Sequence, residues 1–209
     1  GYIAKAAERM HPSKLWIKMP KESTDFSSAS AGIGGAVSRG YKNLGIIIPS
    51  VYSRTHVEDA ILSLSTNGVD PRSIEIGILV DSPAGAIMAC EFAQAGTAVA
   101  CIDADTLVKN MFGLDDNIST VNLETHPAFL HIIERCIRSC KKQKMHTAFF
   151  GSASGDPRMI DKLVEFGIDS ICVPKKSETM ARYMAARAER RMLIDLLKHR
   201  DRFIRKNSE

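Results

Sequence analysis

The chain has 209 residues, of which 44% are hydrophobic and 25% charged, and its formal net charge is +4. This is the composition of an ordinary globular domain with one substantial core, and it carries no sign of a fibrous, low-complexity or disordered chain. The longest apolar runs, such as Leu44 to Pro49, are too short to cross a bilayer, and the N-terminus lacks the basic-then-apolar layout of a secretory signal, so a cytoplasmic protein without a membrane partner is expected.

In chain order, short β-rich runs alternate with longer helical ones. A helix over Ala4 to Met10 precedes the strand "KLWIKM" (Lys14 to Met19). The strand "NLGIIIP" (Asn43 to Pro49) leads to a helix over Arg54 to Thr66, with Ser53 or Thr55 as its cap and Val57, Ile61 and Leu64 at helical spacing. "IEIGILV" (Ile74 to Val80), "AVACID" (Ala98 to Asp103), "HTAFFG" (His146 to Gly151) and "SICVP" (Ser170 to Pro174) are further strands. Helices over Ala84 to Gln94, Pro127 to Gln143, Met159 to Phe166 and Glu178 to about Phe203 separate or follow them. The strand runs are continuously apolar, as parallel strands buried on both faces require. Repeated βα units of this kind build an open doubly wound sheet or a (β/α) barrel. Residues 21–40, "KESTDFSSASAGIGGAVSRG", break the rhythm. They lack a Walker Lys-Ser/Thr and a GxGxxG between strand and helix, and are expected to form a long Gly/Ser-rich loop.

The five cysteines, Cys90, Cys101, Cys136, Cys140 and Cys172, are odd in number and show no CxxC spacing, which argues against a disulfide framework and a zinc site. Cys136 and Cys140 share a helix face and are read as small buried residues. Much of the basic excess lies in "RAERRMLIDLLKHRDRFIRKNSE", a solvated amphipathic helix without the aromatic interleaving of a nucleic-acid arm, so no nucleic-acid partner is expected.

In parallel α/β folds ligands bind at the carboxyl ends of the strands. The residues there form a polar set: Lys18 with Pro20, Pro49-Ser50, Asp81-Ser82, Asp103 with Asp105 and Thr106, Gly151-Ser152, and Lys175-Lys176. Asp81 with Asp103 or Asp105 supplies hard oxygen ligands of the kind Mg²⁺ takes, and Lys18 a charge for a carboxylate or phosphate. The competing reading is structural, with Asp81 capping the helix after Ser-Pro and Asp105 or Thr106 capping "LVKNMF". Phe149 and Phe150 read as core.

The order of these motifs resembles the C-terminal enolpyruvate-binding domain of phosphoenolpyruvate synthase and pyruvate phosphate dikinase, a family that also includes the phosphotransferase-system enzyme I. "KLWIKMPKESTDF", "NLGIIIPSV", "IEIGILVDSPAGAIMACEFA", "CIDADTLVKNMFGLDDN", "HPAFLHIIERCIRSCKKQKMHTAFFGSASGDP" and "LVEFGIDSICV" look like successive family blocks over nearly the whole chain. The resemblance implies a (β/α) barrel that binds pyruvate or phosphoenolpyruvate with Mg²⁺, a homodimer, and phosphohistidine and ATP-binding domains elsewhere on a longer chain or partner. It puts Asp81 at a metal-binding Glu position, Asp105 and Asp103 beside the second metal ligand, Lys18 at a substrate-binding Arg, and Gly151 and Ser152 along the substrate. Arg39 in "VSRG" is similar to a remnant of the family's "LGFRG" strand.

Phe150 stands where the family carries a proton-donating Cys, and phenylalanine cannot transfer a proton. A full barrel of this type needs about 250 residues. One shortened or incomplete (β/α) barrel domain over residues 1–209, ending in a helix over 178–209, is therefore expected. Three functional readings follow: a phosphoenolpyruvate synthase-like phosphotransferase domain impaired or inactive in isolation, with Ser152 or water in place of the Cys; a non-catalytic module for dimerisation or ligand sensing; and a metal-dependent lyase or aldolase acting on a pyruvate-like substrate.

Overall fold

Six parallel strands pair strictly in chain order, β1-β2-β3-β4-β5-β6, in a computed structural model that describes residues 1–20, 23–115 and 123–206. The strands are β1 Leu15–Lys18, β2 Leu44–Ile48, β3 Glu75–Val80, β4 Val99–Asp103, β5 His146–Phe150 and β6 Ser170–Ile171. A doubly wound sheet reverses its strand order at a switch point. This sheet never does, and it curls as a barrel wall with β1 and β6 as open edges. The fold is an incomplete (β/α) barrel, as expected.

The helices are α1 Tyr2–Met10, α2 Ser23–Val37, α3 Arg54–Thr66, α4 Pro83–Phe92, α5 Ala104–Phe112, α6 Pro127–Lys142, α7 Pro157–Phe166 and α8 Glu178–Lys206. Sequence signals set most of their ends. Ser53 caps α3 by accepting from His56 N–H, and α7 stops at Gly167, whose φ of 87° suits only glycine.

The expected loop over 21–40 is corrected: Ser23–Val37 is helix α2. Its Phe26, Ala29, Ile33, Ala36 and Val37 recur at helical spacing and join the core, and the buried Ser30 hydroxyl donates to Phe26 O at 2.8 Å. Tertiary packing overrides the poor intrinsic propensity of the Gly and Ser residues between them. A Cβ on Gly32 would lie 3.1 Å from Ile3 Cδ1, so the small residues let α1 approach. Residues 21 and 22 of that segment, and 207–209 of the expected terminal helix, lie outside the described residues.

Alternate strand residues serve opposite faces. Leu44, Ile46 and Ile48, then Ile76, Ile78 and Val80, then Ala100 and Ile102, and Phe149 pack against the helices in one continuous core. The residues between them face the concave side: Trp16 and Lys18, Gly45 and Ile47, Leu79 and Asp81, Cys101 and Asp103, Ala148 and Phe150. Ile47 and Leu79 are buried there without joining the main core. Trp16 fills the space over Gly45, where a Cβ would fall 2.5 Å from its ring. Among the described residues no helix is long and apolar enough to cross a membrane.

Candidate functional site

Asp81 follows the last residue of β3 and is 3% exposed. It does not cap α4. Ser82 does so, accepting from Gly85 N–H at 3.1 Å ahead of Pro83. The Asp81 carboxylate instead accepts from the N–H and hydroxyl of Ser50, both at 3.2 Å, at the end of β2. Ser50 has a φ of 54°, the left-handed conformation that turns both donors onto one oxygen. Asn110 of α5 donates to Asp81 O at 2.6 Å, fixing the backbone from the other side.

One strand over, Asp103 caps α5 by accepting from Thr106 N–H at 3.2 Å, the job expected of Asp105 or Thr106. Asp105 reaches across to β5. Both of its oxygens accept from Ser152 N–H at 3.0 Å, and Oδ1 accepts from the Ser152 hydroxyl at 2.5 Å. Glu124 Oε1, on a residue only 6% exposed, lies 3.3 Å from the same hydroxyl. Gly151 permits this meeting: its φ is 139°, and a Cβ there would fall 2.9 Å from Ala104 Cβ and 3.2 Å from Asp105 Oδ1.

The strand ends therefore bring Asp81, Asp103, Asp105, Gly151 and Ser152 together around β3 to β5. Phe150 sits half-buried in register with Asp103. Lys18 ends β1 on the concave face, exposed and two strands from β3. Arg39 is corrected: α2 carries the chain back from the carboxyl end of β1, and Arg39 lies in the turn before β2, at the opposite end of the sheet. There Asn43 O accepts from Leu15 N–H at 2.8 Å, tying together the starts of β1 and β2.

The donor chemistry bears on a metal ion. Among the described residues no three His, Cys, Asp or Glu side chains gather into a metal cage. Asp103 accepts one hydrogen bond at its cap, as Asp81 and Asp105 accept theirs from Ser50 and Ser152. A carboxylate offers about four lone-pair sites, so each retains acceptor capacity beside these bonds, and a Mg²⁺ that uses one or two carboxylates with water and substrate fits such a set.

Cavities of about 250 Å³ adjoin both serines, one lined by Ser50, His56 and Phe26 and the other by Ser152, Glu124 and Arg158. Two carboxylates are displaced below the usual range, Asp156 beside Ser152 and Asp169 at the opposite end of the sheet, before β6. The Arg158 side chain holds Asp156 down at the cap of α7. Burial pushes Asp169 up, but the Thr147 N–H and hydroxyl, then Lys141 and His146, outweigh it. Sequence reasoning noted Ser50 only as a strand-end residue and passed over Glu124 and Asn110. The left-handed Ser50 carries no local signal, because neither Gly nor Asn stands there.

Residues 31–190 match the family described as PEP-utilising enzyme, PEP-binding domain. Over 180 residues the chain is 31% identical to a probable phosphoenolpyruvate synthase of Archaeoglobus fulgidus, an alignment covering 85% of this chain and 24% of that protein. It is 30% identical to the phosphoenolpyruvate synthase of Pyrococcus furiosus over 160 residues, covering 75% of this chain and 20% of that one. The chain thus spans about a quarter or less of the length of these curated relatives. Among solved structures, the malate synthase of Haloferax volcanii superposes with a TM-score of 0.63 at 11% identity, over 87% of this chain and 60% of that one, a likeness of fold alone. With that match over residues 31–190, the chain belongs to the PEP-binding domain family of PEP-utilising enzymes.

Proposed function

We propose that the chain is the enolpyruvate-binding domain of a phosphoenolpyruvate synthase-like phosphotransferase, taking pyruvate or phosphoenolpyruvate at the carboxyl ends of β3 to β5. The observation that carries this reading is the pair Asp81 and Asp105, each steered away from a helix cap by a serine on a neighbouring strand end. These two carboxylates would hold Mg²⁺, which when bound supplies a Lewis acid against the negative charge of an enolate oxygen. Lys18 offers a cation to the substrate carboxylate or phosphate, without the bidentate fork of an arginine. Gly151 leaves room beside Asp105, and the Ser152 N–H and hydroxyl fix that carboxylate's orientation. The phosphohistidine and ATP-binding domains, and a dimer, belong to the same proposal.

Phe150 favours a second reading, a non-catalytic domain that binds the ligand for sensing or assembly, because its ring cannot carry a proton. Thermal unfolding with Mg²⁺ and oxalate, a mimic of the pyruvate enolate, tests the binding that both share. A ligand at about a hundred times its dissociation constant adds about 2.7 kcal/mol, seen as a raised midpoint only when both components are present. Asp81→Asn is expected to abolish the rise. No rise in a chain that unfolds cooperatively would contradict the proposal.

A further inference from the structure

Interconverting pyruvate and its enolate requires a group that gives and takes a proton at the methyl carbon, C3, and Phe150 provides none. The matched PEP-binding region, residues 31–190, includes Cys172 just beyond β6. Cys172 N–H donates to Phe149 O at 2.8 Å, one step past the Phe149 and Ile171 pair, so Cys172 lies beside Phe150 on the next strand position. Ile171 packs against the helix-side core, and strand alternation turns Cys172 to the concave face, where its thiol is exposed. The register then makes one concave row: Asp81, Asp103, Phe150 and Cys172. Neighbouring strands are about 4.8 Å apart, so the thiol is one strand spacing from the position that Phe150 occupies.

We propose that Cys172 is the catalytic residue that carries the C3 proton, displaced by one strand from Phe150. This rests on the enolpyruvate reading above. The Cys172 thiolate takes a methyl proton while the C–H electron pair becomes the C2=C3 bond and the carbonyl oxygen takes the negative charge. In reverse the thiol returns its proton to C3 and the carbonyl re-forms, so the step balances without an oxidant or reductant. Cys101, on the same face, is the other thiol within influence. Burial first, and then the charge of Cys172, push it up to about 11, which suits it poorly to exchange protons near neutral pH.

The test follows loss of the pyruvate methyl signal by proton NMR in D₂O with Mg²⁺, for the wild-type chain, Cys172→Ala, Cys172→Ser and Cys101→Ala. Oxalate binding and iodoacetamide labelling of Cys172, located by peptide mass spectrometry, are measured alongside. Exchange is expected to fall about a hundredfold or more in both Cys172 variants and to stay near wild type in Cys101→Ala, with oxalate binding kept throughout. Mg²⁺ with oxalate is expected to slow labelling of Cys172. A Cys172→Ala chain that exchanges at the wild-type rate overturns the assignment, as does a wild-type chain that binds oxalate without exchanging. A wild-type chain that neither binds oxalate nor exchanges overturns the enolpyruvate reading, and this inference with it.

Discussion

The two faces of the one sheet divide stability from chemistry. On the convex face Ile46, Ile78, Ile102 and Phe149 are fully buried against the helices in a continuous apolar layer. On the concave face the strands, one residue out of phase, present Lys18, Asp81, Asp103 and Phe150 at their ends, above Trp16, Leu79, Cys101 and Ala148. A period of two thus lets a single run such as "IEIGILVD" build the core and place a carboxylate at the strand end. The site can vary without touching the layer that holds the fold.

The sharpest way to break this division is a pair of adjacent substitutions on β5. Phe149→Ala removes a fully buried ring and is expected to cost about 3–5 kcal/mol in urea unfolding. Phe150→Ala, on the half-buried concave side, is expected to cost at most half of that, and equal losses would erase the distinction. Gly151→Ala comes next. Its φ of 139° and the approach of Ala104 and Asp105 predict a loss of about 1–3 kcal/mol, with the Mg²⁺ and oxalate stabilisation lost as well. If the ligand shift survives, the Asp105 to Ser152 link does not organise the site.

Ser82→Ala sharpens the comparison from the helix side. Loss of the α4 cap is expected to cost about 1 kcal/mol, while oxalate binding continues because Ser50, not Ser82, orients Asp81. The smallest effect concerns Asp169, where Thr147 and Lys141 hold the folded carboxyl below its usual range. A depressed carboxyl adds stability above the unfolded pKa of about 3.9 and loses it as pH falls further. Asp169→Asn is therefore expected to cost less than about 1 kcal/mol at neutral pH, given the partly exposed pair, and progressively less as pH falls below about 3.9. A difference in urea midpoint that persists undiminished at low pH would rule this out.

Most of the scaffold was legible because its signals are local. The continuous apolar strands, the Ser53 cap and the Gly167 stop each act within a few residues. Helix α2 was not legible: Phe26, Ile33 and Ala36 form its stripe, but Gly and Ser between them lower helix propensity below what only the packed neighbours restore. The site was legible as a list of strand-end residues and not as a constellation. Whether Asp81 caps α4 or turns to Ser50 depends on the positive φ of Ser50 on another strand, and whether Arg39 reaches the site depends on the direction of α2. Both are decided by contacts between distant segments.

The measurement closest to the central claim is paramagnetic broadening of the pyruvate methyl resonance by Mn²⁺, which takes oxygen ligands as Mg²⁺ does. With the wild-type chain, broadening beyond that of free Mn²⁺ is expected, and it should vanish in Asp81→Asn and weaken in Asp105→Asn. Broadening that is equal in Asp81→Asn and wild type, or absent from both, would contradict an enolpyruvate site at the ends of β3 to β5.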